Sequence, residues 1–459
     1  MTHYHFIGIG GTGMSPIAQI LVEKGHSVSG SDLIISPMAH GLQKLGVRVI
    51  AGHDAQNITG ADIVIRSSAI HDDNVEVLAA LKIGIPVLKR SDFLGELTRE
   101  KSVIAIAGTH GKTTTTSLMA WVLVNLGEDP SYIIGGVSKN LKSNAHAGKG
   151  NYFVIEADEY DGMFLGLHPD LLIVTNIEHD HPDYYPTPKE YLDAFEHLIK
   201  LINSDGDLLV CKDNPQSESL LNHLPAGVHG YSYGVSSKTD FNATKIQHIK
   251  DCGINFSAHL SNGYQMQDIQ MQVPGNHNVL NALAVLSAVN LLGFPVEKCR
   301  KAFESFIGVE RRFDILGTAG GVTVIDDYAH HPTEIIATLA AARCRFPGRV
   351  LWTIWQPHTY SRTQTLFKDF IKAFKESDHV IVTEIFRSRE KEQDYSSAEL
   401  ARQIQHADAR FMNDFKSIIT YLIQHLKAGD VLLVLSAGDA DQISAQIYQE
   451  LQKNEVRHG

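Results

Sequence analysis

The sequence predicts an α/β protein with three domains. Short apolar runs typical of strands alternate with longer amphipathic runs typical of helices along the chain. Two of the apolar runs lead into glycine-rich loops that each begin a helix, at residues 8–13 and 108–111. A chain of 459 residues is long enough for about three domains of common size. We place these domains at residues 1–101, 102–312 and 313–459.

Composition and charge restrict the class of protein. Hydrophobic residues make up 43% of the chain and charged residues 20%, as in ordinary soluble globular proteins. The net charge of −12 argues against nucleic acid as the main partner, because no basic run compensates for it. No apolar run is long enough to cross a bilayer and no signal peptide is evident, so we expect a cytoplasmic protein without a membrane partner. Four scattered cysteines without metal-ligand spacing indicate reduced thiols: Cys211, Cys252, Cys299 and Cys344.

The N-terminal domain carries a glycine pattern of the dinucleotide-binding type. A predicted strand from Tyr4 runs into Gly8-x-Gly10-x-x-Gly13, a helix follows, and the next strand ends at Asp32. This order predicts a Rossmann-like domain that binds a diphosphate at a helix N-terminus; it does not specify NAD, and a glycine-rich turn that only packs is the alternative. Ser67 and Ser68 follow another strand end, where a ligand contact or a solvated loop is equally compatible with the sequence. The candidate binding residues are Gly10, Gly11, Thr12, Gly13, Met14, Ser15, Ser31, Asp32, Ser67 and Ser68.

The central domain begins with a lysine-containing phosphate loop. The apolar run 103–107 leads into Gly108-Thr-His-Gly-Lys-Thr113 and then into a helix. Such a loop presents backbone N–H groups to phosphate, while the lysine meets phosphate oxygens and the threonine suits Mg²⁺. Only two residues separate the glycines, fewer than in the standard P-loop, and an ordinary turn is the alternative. We expect a P-loop ATPase-type parallel sheet, with binding residues Gly108, Thr109, His110, Gly111, Lys112, Thr113 and Thr114.

Two further apolar runs of this domain end in clusters of hard ligands. One ends at Glu156, and the other leads into Asn176-Ile-Glu-His-Asp-His181. Beside a Lys-Thr loop these clusters predict Mg²⁺ held for nucleotide chemistry, with Thr113, Glu156 and His181 as the favoured ligands. A zinc or di-metal hydrolase would also use aspartate and histidine, and solvated acidic turns remain the simpler interpretation.

Two later segments add polar groups suited to a nucleotide. His277, Asn278 and Asn281 lie at the start of a predicted helix, and the two asparagines share one face that suits an adenine edge. Simple N-capping explains the same pattern. Arg312 belongs to a pair of arginines suited to phosphate charge, although surface arginines are common.

The last segment again alternates strands and helices, which predicts a C-terminal Rossmann-like α/β domain. Asp327, His330, His358 and Arg362 lie at predicted carboxyl ends of strands, where ligand sites of such sheets occur. Each residue taken singly is also compatible with an ordinary polar loop.

These pieces, in this order, resemble the Mur ligases, the ATP-dependent amide-forming enzymes of bacterial peptidoglycan precursor synthesis. The resemblance covers essentially the whole chain, and the short phosphate loop is the form that the family uses. The segments that carry it are Gly108–Thr114, Glu156–Glu159, Asn176–His181, Pro274–Asn278 and Asp326–Pro332. Within the family, residues 8–15, 326–332 and 356–363 look most like the member that joins L-alanine to UDP-N-acetylmuramate.

The resemblance implies substrates and roles for the candidate residues. ATP and Mg²⁺ would bind the central domain, UDP-N-acetylmuramate the N-terminal domain and L-alanine the C-terminal domain, in a monomer or weak homodimer. The implied catalytic residues are Lys112, Glu156, His181, Arg312, His330 and Arg362. The adenine side and phosphates of ATP would also meet His277, Asn278, Asn281, Arg312 and Asp327, and the amino acid would meet His330, His358 and Arg362.

Two details depart from patterns seen in the family. Many alanine-adding members have arginine where this chain has Thr359, so the amino-acid carboxylate contact is carried over to Arg362 alone. Some relatives use a carbamylated lysine shortly after the metal histidine, whereas residues 191–198 contain no lysine, so we predict none. The alternatives are a muropeptide-recycling ligase that attaches a tripeptide, a nucleotide-dependent oxidoreductase, and a non-catalytic UDP-sugar or nucleotide sensor.

Overall fold

The computed structural model of the protein describes residues 1–235, 238–249 and 253–458. The chain forms two compact units. The first unit comprises Met1–Ile177, Leu192–Asn242 and Leu283–Ala302, and the second comprises Glu178–Tyr191, Ala243–Ala282 and Phe303–Gly459. The domain boundaries at residues 101 and 312 stay a prediction from the sequence.

The first unit contains a five-stranded parallel sheet in the order β3-β2-β1-β4-β5. Its strands are β1 (His3–Ile7), β2 (Ser27–Asp32), β3 (Arg48–Ala51), β4 (Ile63–Arg66) and β5 (Val87–Lys89). Its helices are α1 (Ser15–Glu23), α2 (Pro37–Lys44), α3 (Val75–Lys82) and α4 (Arg90–Thr98). The strand order reverses at β1, so the loop after β1 lies where ligands bind in open α/β sheets. The Rossmann-like prediction is confirmed.

The same unit contains most of a second sheet, whose strand order there is β12-β11-β10-β6-β9-β7-β8. The strands are β6 (Ser102–Ala107), β7 (Ser131–Ser138), β8 (Ser143–His146), β9 (Tyr152–Glu156), β10 (Leu171–Val174), β11 (Asp207–Cys211) and β12 (His229–Gly234). Only β8 is antiparallel to its neighbour. Helices α5 (Lys112–Leu126), α6 (Pro188–Ile199) and α7 (Pro215–Ser219) are connected to these strands along the chain. The central strands are almost fully buried, which explains their unbroken apolar sequences.

The segment after β12 continues with strands and two helices. These are β13 (Phe241–Ile249), β14 (Gly253–His259), β15 (Gln265–Met271), α8 (Asn276–Leu291) and α9 (Arg300–Ser305). The start of β13 pairs with β12, and β14 and β15 form an antiparallel pair within the second unit.

The second unit contains a six-stranded sheet in the order β16-β17-β21-β18-β19-β20, in which only β16 is antiparallel to its neighbour. The strands are β16 (Asp314–Ala319), β17 (Val322–Asp327), β18 (Leu351–Trp355), β19 (His379–Val382), β20 (Ala409–Phe411) and β21 (Val431–Leu435). The helices are α10 (Pro332–Arg345), α11 (Tyr360–Thr365), α12 (Phe367–Phe370), α13 (Ser397–Gln403), α14 (Phe415–His425) and α15 (Asp441–His458). Each face of the sheet has its own apolar core, and successive residues of β18 alternate between them: Trp352 packs in one and Trp355 in the other.

Two further expectations concern the surface and the cysteines. Within the described ranges, none of the helices combines the length and the apolar character that a bilayer crossing requires. Cys211, Cys299 and Cys344 are free thiols, whereas Cys252 lies outside the described residues.

Candidate functional site

The phosphate loop connects β6 to α5 and is fixed by the end of β10. The backbone N–H of Thr109 donates to the carbonyl of Asn176 at 2.9 Å, and the N–H of His110 donates to its side-chain Oδ1 at 2.9 Å. Gly108 has a φ of +130°, and a Cβ there would lie 2.1 Å from Oγ1 of Thr175. Gly111, with a φ of +81°, is the N-cap of α5. Both glycines are therefore required by the backbone, which holds the loop in one conformation.

Lys112 places its amine over this loop. Nζ donates to the carbonyl of Gly108 at 2.5 Å and lies 2.8 Å from Oε2 of the buried Glu159. Burial alone would lower the pKa of Lys112, but the carboxylates of Glu159 and Glu156 outweigh it, so that its pKa is raised above the ordinary value. The ammonium charge is thus secured beside backbone N–H groups at a helix N-terminus, an arrangement suited to phosphate.

Thr113 and Glu156 form a hydroxyl–carboxylate pair next to the lysine. Oγ1 of Thr113 donates to Oε1 of Glu156 at 3.0 Å, and the backbone N–H of Gly135 donates to Oε2 at 2.6 Å. These oxygens are hard donors of the kind that Mg²⁺ prefers, so the residues present fit the ion. The third predicted ligand, His181, belongs to the second unit, where it has a φ of +53° and lies 3.8 Å from the carboxylate of Asp180.

The first glycine loop is braced by the strand beside it. The backbone N–H of Gly10 donates to Oδ2 of Asp32 at 2.8 Å, and the N–H groups of Gly8 and Ile9 donate to the carbonyl of Ser31 at 2.8 and 3.0 Å. Thr12 and Gly11 are exposed, whereas Met14 and Ser15 are buried at the start of α1. Asp32, predicted to reach the uridine, therefore supports the loop with one carboxylate oxygen.

The remaining candidates of this domain occupy different surroundings. Ser67 follows β4, and its Cβ lies 3.1 Å from where a Cβ at Gly8 would be, while Ser68 is exposed. The hydroxyl of Ser31 is buried and donates to Glu76 at 2.9 Å. Their assignment to the UDP-sugar stays a prediction.

A buried cluster around Glu76 was not anticipated from the sequence. Its carboxylate accepts from Ser31 and from Asn57 at 3.0 Å, and lies 2.7 Å from Nε2 of His5 and 2.9 Å from Nδ1 of His53. Burial by itself raises the pKa of Glu76, but the hydrogen bonds from His5, Asn57, Ser31 and His53 prevail and lower it to about 2. The only hint in the sequence is a histidine inside an apolar strand, which gives no partner.

In the second unit Arg362 is almost fully buried and bound on several sides. Nε and Nη2 donate to the carboxylate of Asp180 at 2.6 and 3.2 Å, and Nη1 lies 2.8 Å from Nδ1 of His358. Burial opposes both charges, yet the mutual attraction lowers the pKa of Asp180 well below its ordinary value and raises that of Arg362. Sequence reasoning selected Arg362 but not Asp180, which lies 182 residues away.

Two neutral imidazoles lie beside this ion pair. The rings of His330 and His358 are 5.7 Å apart. Burial lowers the pKa of His330 to about 4 against the opposing charge of Glu334, and burial with the charge of Arg362 lowers the pKa of His358 to about 2. Both rings are therefore uncharged near neutral pH. Nδ1 of His358 already accepts from Arg362, whereas Nδ1 of His330 lies 2.9 Å from the carbonyl of Tyr328, so Nε2 of His330 can accept a hydrogen bond from an ammonium group. Thr359, with a φ of +65°, caps α11 by accepting from the N–H of Arg362 at 3.4 Å.

Asp327 is the last residue of β17, and Arg312 lies just before β16, the strand that pairs with β17. The guanidinium of Arg312 is 4.8 Å from the ring centre of Tyr328 and 3.7 Å from the carboxylate of Glu334. Asp327 accepts from the backbone N–H of Phe313 at 2.6 Å, and burial, opposed by the charge of Arg312 and by backbone hydrogen bonds, raises its pKa to about 6.

The two asparagines near the start of α8 form hydrogen bonds within the second unit. Nδ2 of Asn278 donates to the carbonyl of Pro274 at 2.6 Å, and Nδ2 of Asn281 donates to Oδ1 of Asn278 at 3.0 Å. His277 is exposed and packs beside Gly275. This geometry agrees with a structural role for the asparagines, and an adenine contact stays a prediction.

A lysine–threonine phosphate loop, a hydroxyl–carboxylate pair and a second glycine loop are together typical of a nucleotide-dependent enzyme. Family models cover the chain in three parts: the Mur ligase family catalytic domain matches residues 3–102, the Mur ligase middle domain 106–289, and the Mur ligase glutamate ligase domain 311–438. The chain belongs to the Mur ligase family, which confirms the resemblance and the three-part α/β fold.

Individual relatives match along their full length. A UDP-N-acetylmuramate–L-alanine ligase of Geobacter sp. (strain M21) is 43% identical over 96% of this chain and 95% of its own length. The crystal structure of a UDP-N-acetylmuramate-alanine ligase from Thermotoga maritima superposes with a TM-score of 0.83 at 29% identity, covering 99% of this chain and 100% of that one. A murein peptide ligase from Psychrobacter arcticus 273-4 gives a TM-score of 0.74 at 27% identity, covering 98% and 99%.

Proposed function

We propose that this protein is an ATP-dependent ligase that joins L-alanine to the lactyl carboxylate of UDP-N-acetylmuramate, a step of peptidoglycan precursor synthesis. The observation that carries the proposal is the full-length similarity to UDP-N-acetylmuramate–L-alanine ligases, at 43% identity over 96% of the chain. The murein peptide ligase of similar fold makes attachment of a tripeptide the second candidate. We further propose a cytoplasmic monomer or weak homodimer without nucleic-acid or membrane partners.

The chemistry requires two successive transfers. The lactyl carboxylate attacks the γ-phosphorus of ATP, which releases ADP and leaves an acyl phosphate. The ammonium of L-alanine loses one proton, and the resulting amine attacks the acyl carbon. The tetrahedral intermediate then expels phosphate and the nitrogen loses a second proton, which leaves an amide N–H. Both steps bring an anion or an electron-rich centre towards phosphate, so fixed positive charge stabilises the transition state.

Lys112 supplies that charge at the phosphate loop. Its amine is held over the loop by Gly108 and Glu159, and its raised pKa keeps it protonated. Arg312 is proposed as a second cation towards the transferred phosphate, and Asp327, His277, Asn278 and Asn281 as further contacts of ATP. Thr113, Glu156 and His181 would hold Mg²⁺, which neutralises phosphate charge when bound.

The UDP moiety is proposed to bind the first glycine loop, with Asp32 on the side of the uridine. The amino acid is proposed to bind near Arg362, His330 and His358. The two uncharged imidazoles avoid repulsion of the alanine ammonium, and Nε2 of His330 can accept one of its hydrogen bonds. Arg362 attracts the carboxylate, although Asp180 already binds two of its nitrogens.

The test is phosphate release from ATP with UDP-N-acetylmuramate and a panel of L-alanine, glycine, L-serine and a tripeptide. We expect release to require both the UDP-sugar and L-alanine, and release that depends on the tripeptide would select the recycling ligase. ATP consumption independent of both partners, or an absorbance change with NAD and no phosphate release, would contradict a ligase.

The matched variant is Lys112→Ala. It should abolish phosphate release while UDP-N-acetylmuramate binding stays nearly intact, because the lysine lies on the ATP loop and not on the first glycine loop. Normal phosphate release by this variant with both substrates would show that the role of Lys112 is wrong.

A further inference from the structure

Arg90 lies against the first glycine loop, although it begins α4, far along the chain. A Cβ atom on Gly13 would come 1.3 Å from Nη1 of Arg90 and 2.5 Å from its Cζ, so the guanidinium packs directly on the α-carbon of Gly13. Gly13 is not among the glycines with a positive φ. The last glycine of the fingerprint therefore leaves the space that the guanidinium occupies, and a larger residue at this position would displace the guanidinium from the loop.

The other contacts of Arg90 compensate its charge only weakly. Nη2 lies 3.4 Å from Oδ2 of Asp158, longer than the usual 2.7–2.9 Å of a strong charge-assisted hydrogen bond, and Nε lies 3.2 Å from the sulfur of Met163. The Arg90 side chain is 15% exposed, whereas that of Asp158 is 47% exposed. The mostly buried guanidinium is thus paired only with a distant carboxylate that is half exposed to solvent. A closer anion would stabilise its charge more strongly.

We propose that Arg90 binds the diphosphate of the UDP-sugar. This inference rests on the proposed function, which places that diphosphate on residues 10–15. Several backbone N–H groups of the loop already donate within the protein: that of Gly10 to Asp32, and those of Met14 and Ser15 to the carbonyl of Gly11. Backbone N–H groups also carry only partial charge, whereas a guanidinium adds a full charge with paired donors that match phosphate oxygens. Gly13 belongs to this loop, and Arg90 packs on it from the start of α4.

Asp158 then competes with the diphosphate for the same guanidinium. Asp158 lies between Glu156, which accepts from Thr113, and Glu159, which pairs with Lys112. Binding of the UDP-sugar draws Arg90 from Asp158, and this links occupancy of the first loop to the acidic segment that holds the ATP loop.

The experiment compares binding of UDP and of uridine by isothermal titration to the full chain, without ATP. Arg90→Met should weaken UDP binding by about 10- to 100-fold, the usual effect of losing a hydrogen-bonded charge, and leave uridine affinity within about two-fold. The UDP affinity of Arg90→Lys should lie between those of the wild type and Arg90→Met. Arg99→Met, at the exposed C-cap of the same helix, is the matched control and should change neither affinity.

The contact with Asp158 is tested by Asp158→Asn, which should strengthen UDP binding several-fold and leave uridine unchanged. Equal loss of UDP and uridine affinity in Arg90→Met would overturn the phosphate contact in favour of a structural role, as would unchanged UDP affinity. A wild-type protein that binds neither UDP nor uridine would instead overturn the proposed function itself.

Discussion

The buried ion pair between Asp180 and Arg362 should be a main determinant of stability in the second unit. Its two hydrogen bonds, at 2.6 and 3.2 Å, join residues that are 4% and 2% exposed. The perturbation is a double-mutant cycle of Asp180→Asn and Arg362→Met. Each single variant leaves the other residue buried with its charge or its donors unsatisfied, whereas the double variant removes both charges.

The expected magnitudes follow from burial. Removing one partner of a buried pair costs about 3–5 kcal/mol of unfolding free energy. The double variant should cost less than the sum of the two single variants by about 2–3 kcal/mol, the upper part of the range of about 0.5–3 kcal/mol found for residues in contact. The control is Arg389→Met, which breaks the more exposed pair with Asp183 in the same unit and should cost about 1 kcal/mol or less.

The assay is urea unfolding followed by tryptophan fluorescence. Trp352 and Trp355 both lie on β18 of the second unit, and Trp121 lies in the first unit. A Trp121→Phe background therefore reports the second unit alone, which avoids treating both units as one transition. Single variants that lose no more than Arg389→Met, or strict additivity in the double variant, would refute the assignment of this pair as a buried, coupled interaction.

Three further predictions concern other buried groups. Burial, opposed by the charge of Arg311, raises the pKa of Asp326 to about 7, so the carboxyl keeps its proton to a higher pH in the folded state than in the unfolded chain. The free energy of unfolding should therefore fall by up to roughly 4 kcal/mol as the pH rises from about 4 to 7. Asp326→Asn should flatten the pH dependence of the urea midpoint over that range. Gly108→Ala should lower the free energy of unfolding by at least about 2 kcal/mol and abolish phosphate release, because its Cβ would lie 2.1 Å from Oγ1 of Thr175. Gly127→Ala, at a φ of +89° but in open space, should lower the free energy of unfolding by about 1 kcal/mol, and thermal melts of both variants measure the difference. The lowered pKa of Glu76 stabilises the folded wild-type protein above about pH 4.5, and this stabilisation is lost as the pH falls towards 2. Glu76→Gln should lack it at every pH, which acid titrations followed by circular dichroism measure.

Local features of the sequence were sufficient for the fold and the loops. The apolar run before Gly108 is β6, the loop begins α5 as predicted, and Pro332 begins α10. These features depend on residues within a few positions of one another, where strand burial, glycine conformations and helix starts act. No strand order was predicted from the sequence, although parallel strands joined by helices allow few arrangements.

Side-chain partners were not predictable, because each joins positions that only the tertiary fold brings together. Glu76 meets His5 across 71 residues, and Arg362 meets Asp180 across 182. Ser31 shows the same limit within one residue: its carbonyl braces the first loop, while its hydroxyl donates to Glu76. The sequence identifies a residue beside a loop, but the pleat decides which of its groups faces that loop.

Asp32 and Gly13 show how a binding fingerprint can also be a structural one. One oxygen of Asp32 already accepts from the N–H of Gly10, and Gly13 leaves room for the guanidinium of Arg90. Both residues were selected from the sequence as contacts of a ligand, yet each has a physical reason to be present in the protein alone. The same geometry suits the proposed binding of an anion, because Asp32 fixes the backbone of Gly10 and Arg90 places a positive charge beside Gly13. Preorganisation of this kind lowers the cost of ordering the loop on binding, so the residues that shape the loop contribute to affinity even where they do not touch the ligand.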